Sequence, residues 1–427
     1  MRSIAYSLFL SGAIDVATIW GAAFAQCAFV MACLFAALGS VMGSAPRLPG
    51  LLLLAAGVAA VTPAPIVASL LIPDLFAAPM VLLIAGLFAG WPGLKRYQIM
   101  LLASGICICA LMHLSHAPIA LLTALVGGMV VYLSKRQLLQ PLISFATVAV
   151  SLCLALVINA ALTDYAEKRL GAKLFKPPML SVRVIGDGPG RKYLKNNCTT
   201  SPYILCRFAD RIQTSDAILS ARIKEYGAVY LIEDLSVRKR LRDENLDFVR
   251  DSIMSDIPGQ IFASAKNFVK LLLYFRVDGW GSDLTHTAET YRSDVGWYGG
   301  VELTRLLPNI HKCDQRPNEP CGDLPLSPLR VPHYASVVLA FAFLMWHLFT
   351  VFRKPQFPSQ LAPYDVFSLI CLGGVVANAL VCGVLSGPYD RYQMRVIWLL
   401  PALAGAMILF FGQWKLSTAT DQRSLAS

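Results

Sequence analysis

Charge is scarce in this sequence. Asp, Glu, Lys and Arg make up 15% of its 427 residues, where soluble globular proteins carry about 25%. The polar segment's cysteines lack the two-residue gaps of a zinc knuckle. The glycine-rich run Gly186-Asp187-Gly188-Pro189-Gly190 lacks the Lys-Ser or Lys-Thr of a nucleotide-binding loop; it continues as Arg191-Lys192-Tyr193, which reads as a turn feeding a helix. Apolar residues fill the place of charge. They reach 56% and sit in blocks of about 17–25 residues separated by short polar punctuation, the length that crosses a bilayer. A soluble enzyme, a coiled coil and a disordered chain are excluded. The net charge of +11 lies largely in connections between apolar blocks and in one polar segment, a pattern that orients a membrane protein and argues against a nucleic-acid partner.

The apolar blocks fall at about Ile19–Met42, Leu51–Ile72, Leu75–Trp91, Ile99–Leu114, Ala117–Leu133 and Leu142–Leu162, then at Tyr334–Phe352, Val366–Leu385 and Val396–Gln413. The pattern predicts an all-α polytopic membrane protein with about nine transmembrane helices and one mostly helical extracytoplasmic domain. Residues 1–162 form an N-terminal bundle of about six helices, 163–332 the extracytoplasmic domain, and 333–427 about three more helices and a cytoplasmic tail. Thr62-Pro63-Ala64-Pro65 interrupts the second block, either as a break whose freed backbone groups find partners in protein or a wet cavity, or as a packing kink.

Arg47, Lys95 with Arg96, Lys135 with Arg136, Arg353 with Lys354, and Lys415 occur at alternate connections. Placing them in the cytoplasm satisfies the positive-inside rule. The Pro73-Asp74 turn, the His113–His116 turn, the polar segment and the Gly387–Arg395 connection then share the opposite face. Integral membrane localisation follows, with residues 163–332 expected in the periplasm of a bacterial inner membrane. Nine spans with the C-terminus inside place Met1 outside without a cleavable signal; either the N-terminal tail translocates unaided or, as expected here, one further upstream helix belongs to the gene product.

Seven of the 11 cysteines lie in or beside apolar blocks, as small packing residues do. Cys198, Cys206, Cys313 and Cys321 lie in the outward segment, where disulfides form. Three pairings exist; Cys198–Cys206 and Cys313–Cys321 close the shortest loops. The segment reads as helical after Pro258, with Ile261, Phe262, Ala265, Phe268, Val269 and Leu272 on one face. Another helix is expected from Glu233 to Asp256, and a basic amphipathic stretch at the interface from Thr163 to Phe175.

Asp74 sits at an outer boundary between two apolar blocks. It is either a functional carboxylate or the N-cap of the helix starting at Leu75. His113 and His116 are either metal or phosphate ligands or turn histidines at the interface. In Ser386-Gly387-Pro388-Tyr389-Asp390-Arg391-Tyr392-Gln393-Met394-Arg395, two arginines break the positive-inside pattern. They suit an anion gripped at a helix start, or a solvated loop bridged through Asp390.

These residues resemble the polyprenyl-phosphate-dependent glycosyltransferases of the GT-C superfamily, such as lipid A aminoarabinose transferases and protein O-mannosyltransferases. Arg391-Tyr392 with Pro401 downstream resembles the element that meets the lipid phosphate there. Arg2-Ser3-Ile4-Ala5-Tyr6 with Gln26 resembles an amphipathic helix before a span bearing a Gln, and Pro73-Asp74 an acidic outer turn. The family's base lies in a first outer loop upstream of where this chain begins, which agrees with the expected extra helix. The resemblance implies sugar transfer from a lipid-linked donor, amid membrane lipids, to an extracytoplasmic acceptor. Arg391, Tyr392 and Arg395, with Tyr389, Asp390, His113, His116, Tyr6 and Arg2 around them, are then expected on the phosphate and Asp74 as the acid. No cofactor is identified, and a divalent metal is compatible. A transporter or flippase of a lipid-linked or anionic solute, and a non-catalytic membrane subunit, are the alternatives.

Overall fold

The structure, a computed structural model, describes residues 3–135, 137–171, 178–214, 235–277, 327–354, 357–358 and 361–411. Arg2, Cys313 and Cys321 lie outside the described residues. Every regular element among the described residues is helical. Among the described residues, seven helices are long and apolar enough to cross a membrane: Trp20–Met42, Pro73–Gly90, His116–Lys135, Leu139–Leu170, Ser327–Phe352, Pro363–Leu385 and Asp390–Phe410. The protein is thus an all-α integral membrane protein. The other two expected spans correspond to the shorter apolar helices Leu48–Val61 and Arg96–Met112.

Two compact units divide the chain. One comprises Arg2–Asn159, Phe275–Asn378 and Tyr389–Ser427; the other comprises Ala160–Tyr274 with Ala379–Pro388, alongside Met1. The second unit takes in the ends of two spanning helices as well as part of the polar segment.

In the first unit, α1 (Ile4–Met42) reverses direction within its length. Tyr6 and Gln26 would stand about 30 Å apart on a straight helix, yet Tyr6 Oη donates to Gln26 Oε1 at 2.9 Å. Gly21 sits at the bend, where a Cβ would come 2.8 Å from the Ala13 carbonyl oxygen. α2 (Leu48–Val61) and α3 (Ala64–Ser69) are separated at Thr62-Pro63, so the second apolar block does break. Pro65 has no N–H to give the Val61 carbonyl, and Ser336 Oγ donates to it at 3.1 Å. Gln26 Nε2 donates to the carbonyls of Ala68 and Leu70 at 2.9 and 3.0 Å. The broken backbone is satisfied by side chains from elsewhere, as an apolar surrounding requires.

A 3-10 turn, Pro73–Phe76, leads into α4 (Ala77–Gly90), which is buried from Ala77 to Ala89. Gly86 lets α1 approach, since a Cβ there would meet Ala37 Cα at 3.1 Å. α5 (Arg96–Met112), α6 (His116–Lys135) and α7 (Leu139–Leu170) follow. α7 runs unbroken through Thr163 and ends before Gly171 at φ +62°. The described part of the expected interfacial stretch is thus a continuation of the spanning helix.

In the second unit, α8 (Met179–Asp187) and α9 (Pro189–Asn197) meet at Gly188, whose φ of +111° suits glycine. The glycine-rich run is a turn feeding a helix, with Pro189 in the first helical turn. Further on come α10 (Ala209–Thr214), α11 (Leu235–Asp243), α12 (Asn245–Ser255) and α13 (Ile257–Leu273). The helix expected over Glu233–Asp256 is interrupted at Glu244, whose carboxylate accepts from the Ile204 N–H at 2.7 Å. Val184, Ile185, Leu194, Leu205, Leu241 and Phe248 belong to the core, and Tyr193 and Tyr203 stand edge-on to Phe248. The expected Cys198–Cys206 disulfide closes beside them.

The remaining helices are α14 (Ser327–Phe352), α15 (Pro363–Leu385), α16 (Asp390–Ile397) and α17 (Leu399–Ala406), closed by a π-helical turn at Met407–Phe411. Pro401 has no N–H for the Ile397 carbonyl, consistent with the junction at Trp398.

Candidate functional site

α16 begins just after an extended Tyr389, so Arg391 and Arg395, four residues apart, project from one side of the helix. Arg395 is fully buried. Its Nη1 donates to Asp74 Oδ1 at 2.7 Å, and Nε and Nη2 donate to Asn378 Oδ1 at 3.1 and 2.9 Å. Asn378 is fixed in turn, because its Nδ2 donates to the Tyr392 carbonyl at 2.6 Å and to Gln393 Oε1 at 3.1 Å. Trp398 Nε1 donates to the Arg395 carbonyl at 3.0 Å. A guanidinium at this depth is tolerable only with such partners, because unpaired charge in an apolar interior costs far more than the pair returns.

Asp74 therefore does not cap α4. The residue before that helix is Phe76, with no side-chain cap bond, and the Asp74 carboxylate is given to Arg395 instead. His113, His116 and Arg391 also lie within electrostatic reach of Asp74. Asp74 and the arginine pair, 321 positions apart in the case of Arg395, meet in one place.

Arg391 is half-buried. Its guanidinium carbon lies 4.9 Å from the Tyr392 ring centre and 5.8 Å from that of Tyr389, and Nη2 donates to Tyr392 Oη at 3.1 Å. Aromatic faces hold an arginine this way at modest cost while leaving its planar fork in a fixed attitude. Asp390 accepts from the Arg276 N–H at 3.0 Å and from Arg276 Nη2 at 3.1 Å. The acid of the loop thus reaches a sequence-distant arginine.

His113 follows the last turn of α5 in extended conformation. Its Nδ1 accepts from the Ser115 N–H at 3.1 Å, which places the proton of the neutral ring on Nε2. Burial pushes its pKa down to about 4; Asp74 opposes that push, and Arg395 and Arg391 add to it. His116 is fully buried with Nδ1 2.7 Å from the Cys109 carbonyl. That nitrogen must donate, so Nε2 carries the lone pair, and it has no hydrogen-bond partner among the described residues. The two rings are 5.4 Å apart. Among the described residues, no group of three His, Cys, Asp or Glu is arranged to hold a metal.

Tyr6 is buried, with its ring edge-on to Phe76 at 6.2 Å. It touches the turn that carries Asp74 as well as Gln26. A cavity of about 110 Å³ lies at the opposite end of α4, lined by Phe88, Ser134, Lys135, Gln140, Pro363 and Val366 among others. Gln140 Nε2 and Lys135 Nζ there donate to the Trp91 carbonyl, which ends α4 rather than serving chemistry. Asn378, Gln393 and Arg276 were not singled out from the sequence. A lone amide such as Asn378 inside an apolar block is the signal that could have found the first. No protein-family model, curated protein or solved structure matches the chain.

Proposed function

We propose that the chain is an integral-membrane glycosyltransferase that moves a sugar from a polyprenyl-phosphate donor to an extracytoplasmic acceptor, with residues 163–332 in the periplasm of a bacterial inner membrane. The observation that carries this reading is the convergence of Asp74, His113, His116, Arg391 and Arg395. In the reaction, the acceptor attacks the anomeric carbon, and the bond from that carbon to the phosphate oxygen breaks. A base removes the acceptor proton, and Arg391 stabilises the charge gathering on the departing phosphate. Arg395, committed to Asp74 and Asn378, positions α16 rather than meeting the phosphate. The same ion pair makes Asp74 an orienting group more than a base, since its carboxylate is already engaged by the Arg395 guanidinium.

That neutralised acid also favours a second reading, in which the chain is a non-catalytic membrane subunit. Membranes containing the full chain are supplied with a polyprenyl-phosphate-linked sugar, and release of polyprenyl phosphate is measured. Arg391→Ala should abolish release while the protein still inserts at normal abundance. Unchanged turnover would remove Arg391 from the site. Absence of release from the wild-type chain would select the subunit reading, and solute flux in liposomes would instead select a transporter.

A further inference from the structure

α13 is amphipathic. Its inward side buries Leu271 and also carries polar groups. Gln260 Nε2 donates to Asp187 Oδ2 at 2.9 Å and Asn267 Nδ2 to Asp187 Oδ1 at 2.8 Å, while Arg183 pairs with the same carboxylate. Its outward side is apolar. Ile257, Ile261, Phe262, Val269 and Leu273 are exposed, Phe262 by 71%. Positions 257, 261, 265, 269 and 273 recur every fourth residue, with Ala265 completing the series, so the stripe runs the length of the helix. Lys266 and Lys270 are exposed beside it, and Lys270 Nζ lies 5.0 Å from the Tyr274 ring. Leaving such side chains in water forgoes the free energy of burying them.

The position of the helix says what covers the stripe. α13 backs onto the last turn of the spanning helix α15, so closely that a Cβ on Gly383 would come 3.0 Å from the Asn267 carbonyl oxygen. Arg183, on the polar side of α13, also donates to the carbonyl of Ser386, just beyond α15. α13 therefore stands where a spanning helix leaves the apolar layer. A helix at that level meets acyl chains on its free side, and lysines flanking its apolar stripe extend to lipid phosphates.

We propose that α13 is a lipid-binding anchor, its Ile257, Ile261, Phe262, Val269 and Leu273 entering the acyl-chain boundary and its Lys266 and Lys270 on phosphate headgroups. The partner is the bilayer surface itself, and this holds whether or not the chain transfers sugars. The test uses the full chain in vesicles of phosphatidylethanolamine and phosphatidylglycerol, with a benzophenone amino acid at position 262 or, as control, in place of Lys195 on α9. Illumination should give lipid adducts at 262 and none above background at 195. Adducts to protein at 262, or equal lipid labelling at both positions, would overturn the proposal. Independently, Phe262→Trp should add emission that bromines on the acyl chains quench; added emission that bromolipids leave untouched would also overturn it.

Discussion

Arg395 and Asp74 form a buried ion pair, Nη1 to Oδ1 at 2.7 Å, that joins the last turn of α16 to the turn before α4. Arg395 is fully buried and Asp74 nearly so. The pair adds little over two well-packed apolar residues, whereas losing one member strands the other.

Arg395→Ala should therefore destabilise the protein by about 3–5 kcal/mol, read as a lowered Tm of the full chain in detergent. The double variant Asp74→Leu with Arg395→Met should recover most of that loss. A double variant no more stable than Arg395→Ala would show that the cost lies outside the pair.

Gln26→Leu removes the donor that serves the Ala68 and Leu70 carbonyls beyond the α2–α3 break. Each carbonyl left bare costs about 1–3 kcal/mol. Tyr6→Phe, which removes the neutral hydrogen bond to Gln26 Oε1, should cost about 1 kcal/mol. Thermal unfolding of both variants measures the ordering, and equal effects would contradict it.

His113 makes the fold sensitive to acid. Burial lowers its pKa from the ordinary 6.5 to about 4, so the unfolded chain takes up this proton first as pH falls. The contribution is complete above 6.5 and is lost progressively down to about 4. Tm measured from pH 8 to pH 4 should fall less steeply in His113→Gln than in the wild type; parallel profiles would mean that His113 titrates normally.

In the second unit, Tyr203 Oη donates to Asp251 Oδ2 at 2.6 Å. That bond, more than the neighbouring Arg250, holds the Asp251 carboxyl below its ordinary range. A depressed carboxyl stabilises the fold above its unfolded pKa, and the effect disappears as pH falls through the folded value. Hydrogen exchange in α12 should be faster in Tyr203→Phe than in the wild type at pH 6, about two units above an ordinary aspartate. The two should converge in strong acid. Identical protection at pH 6 would dismiss the bond as a contributor.

Much of this was legible along the chain. Pro63 and Pro65 announced the break because an imino acid lacks a donor wherever it stands. The Cys198–Cys206 pairing followed from the short loop it closes, and the turn at Gly188 from a conformation that only glycine adopts freely. Glu244 was not legible as a helix boundary, because its partner is a backbone N–H 40 positions away. Nor was Arg276 as the partner of Asp390, since neither residue carries any local mark of the other.

What the residue order alone determined is the chemistry of the environment: apolar runs too long for a soluble core, basic residues at alternate connections, and a few polar groups that the bilayer makes expensive. Tertiary structure alone decided which of those groups meet. Asp74 could have capped α4 and Arg395 could have faced an anion directly, for each residue type suits either task. Asn378 and the approach of α16 to the Pro73–Phe76 turn set the outcome, because a charge removed from water goes to the nearest complementary group, and only the folded chain fixes which group is nearest.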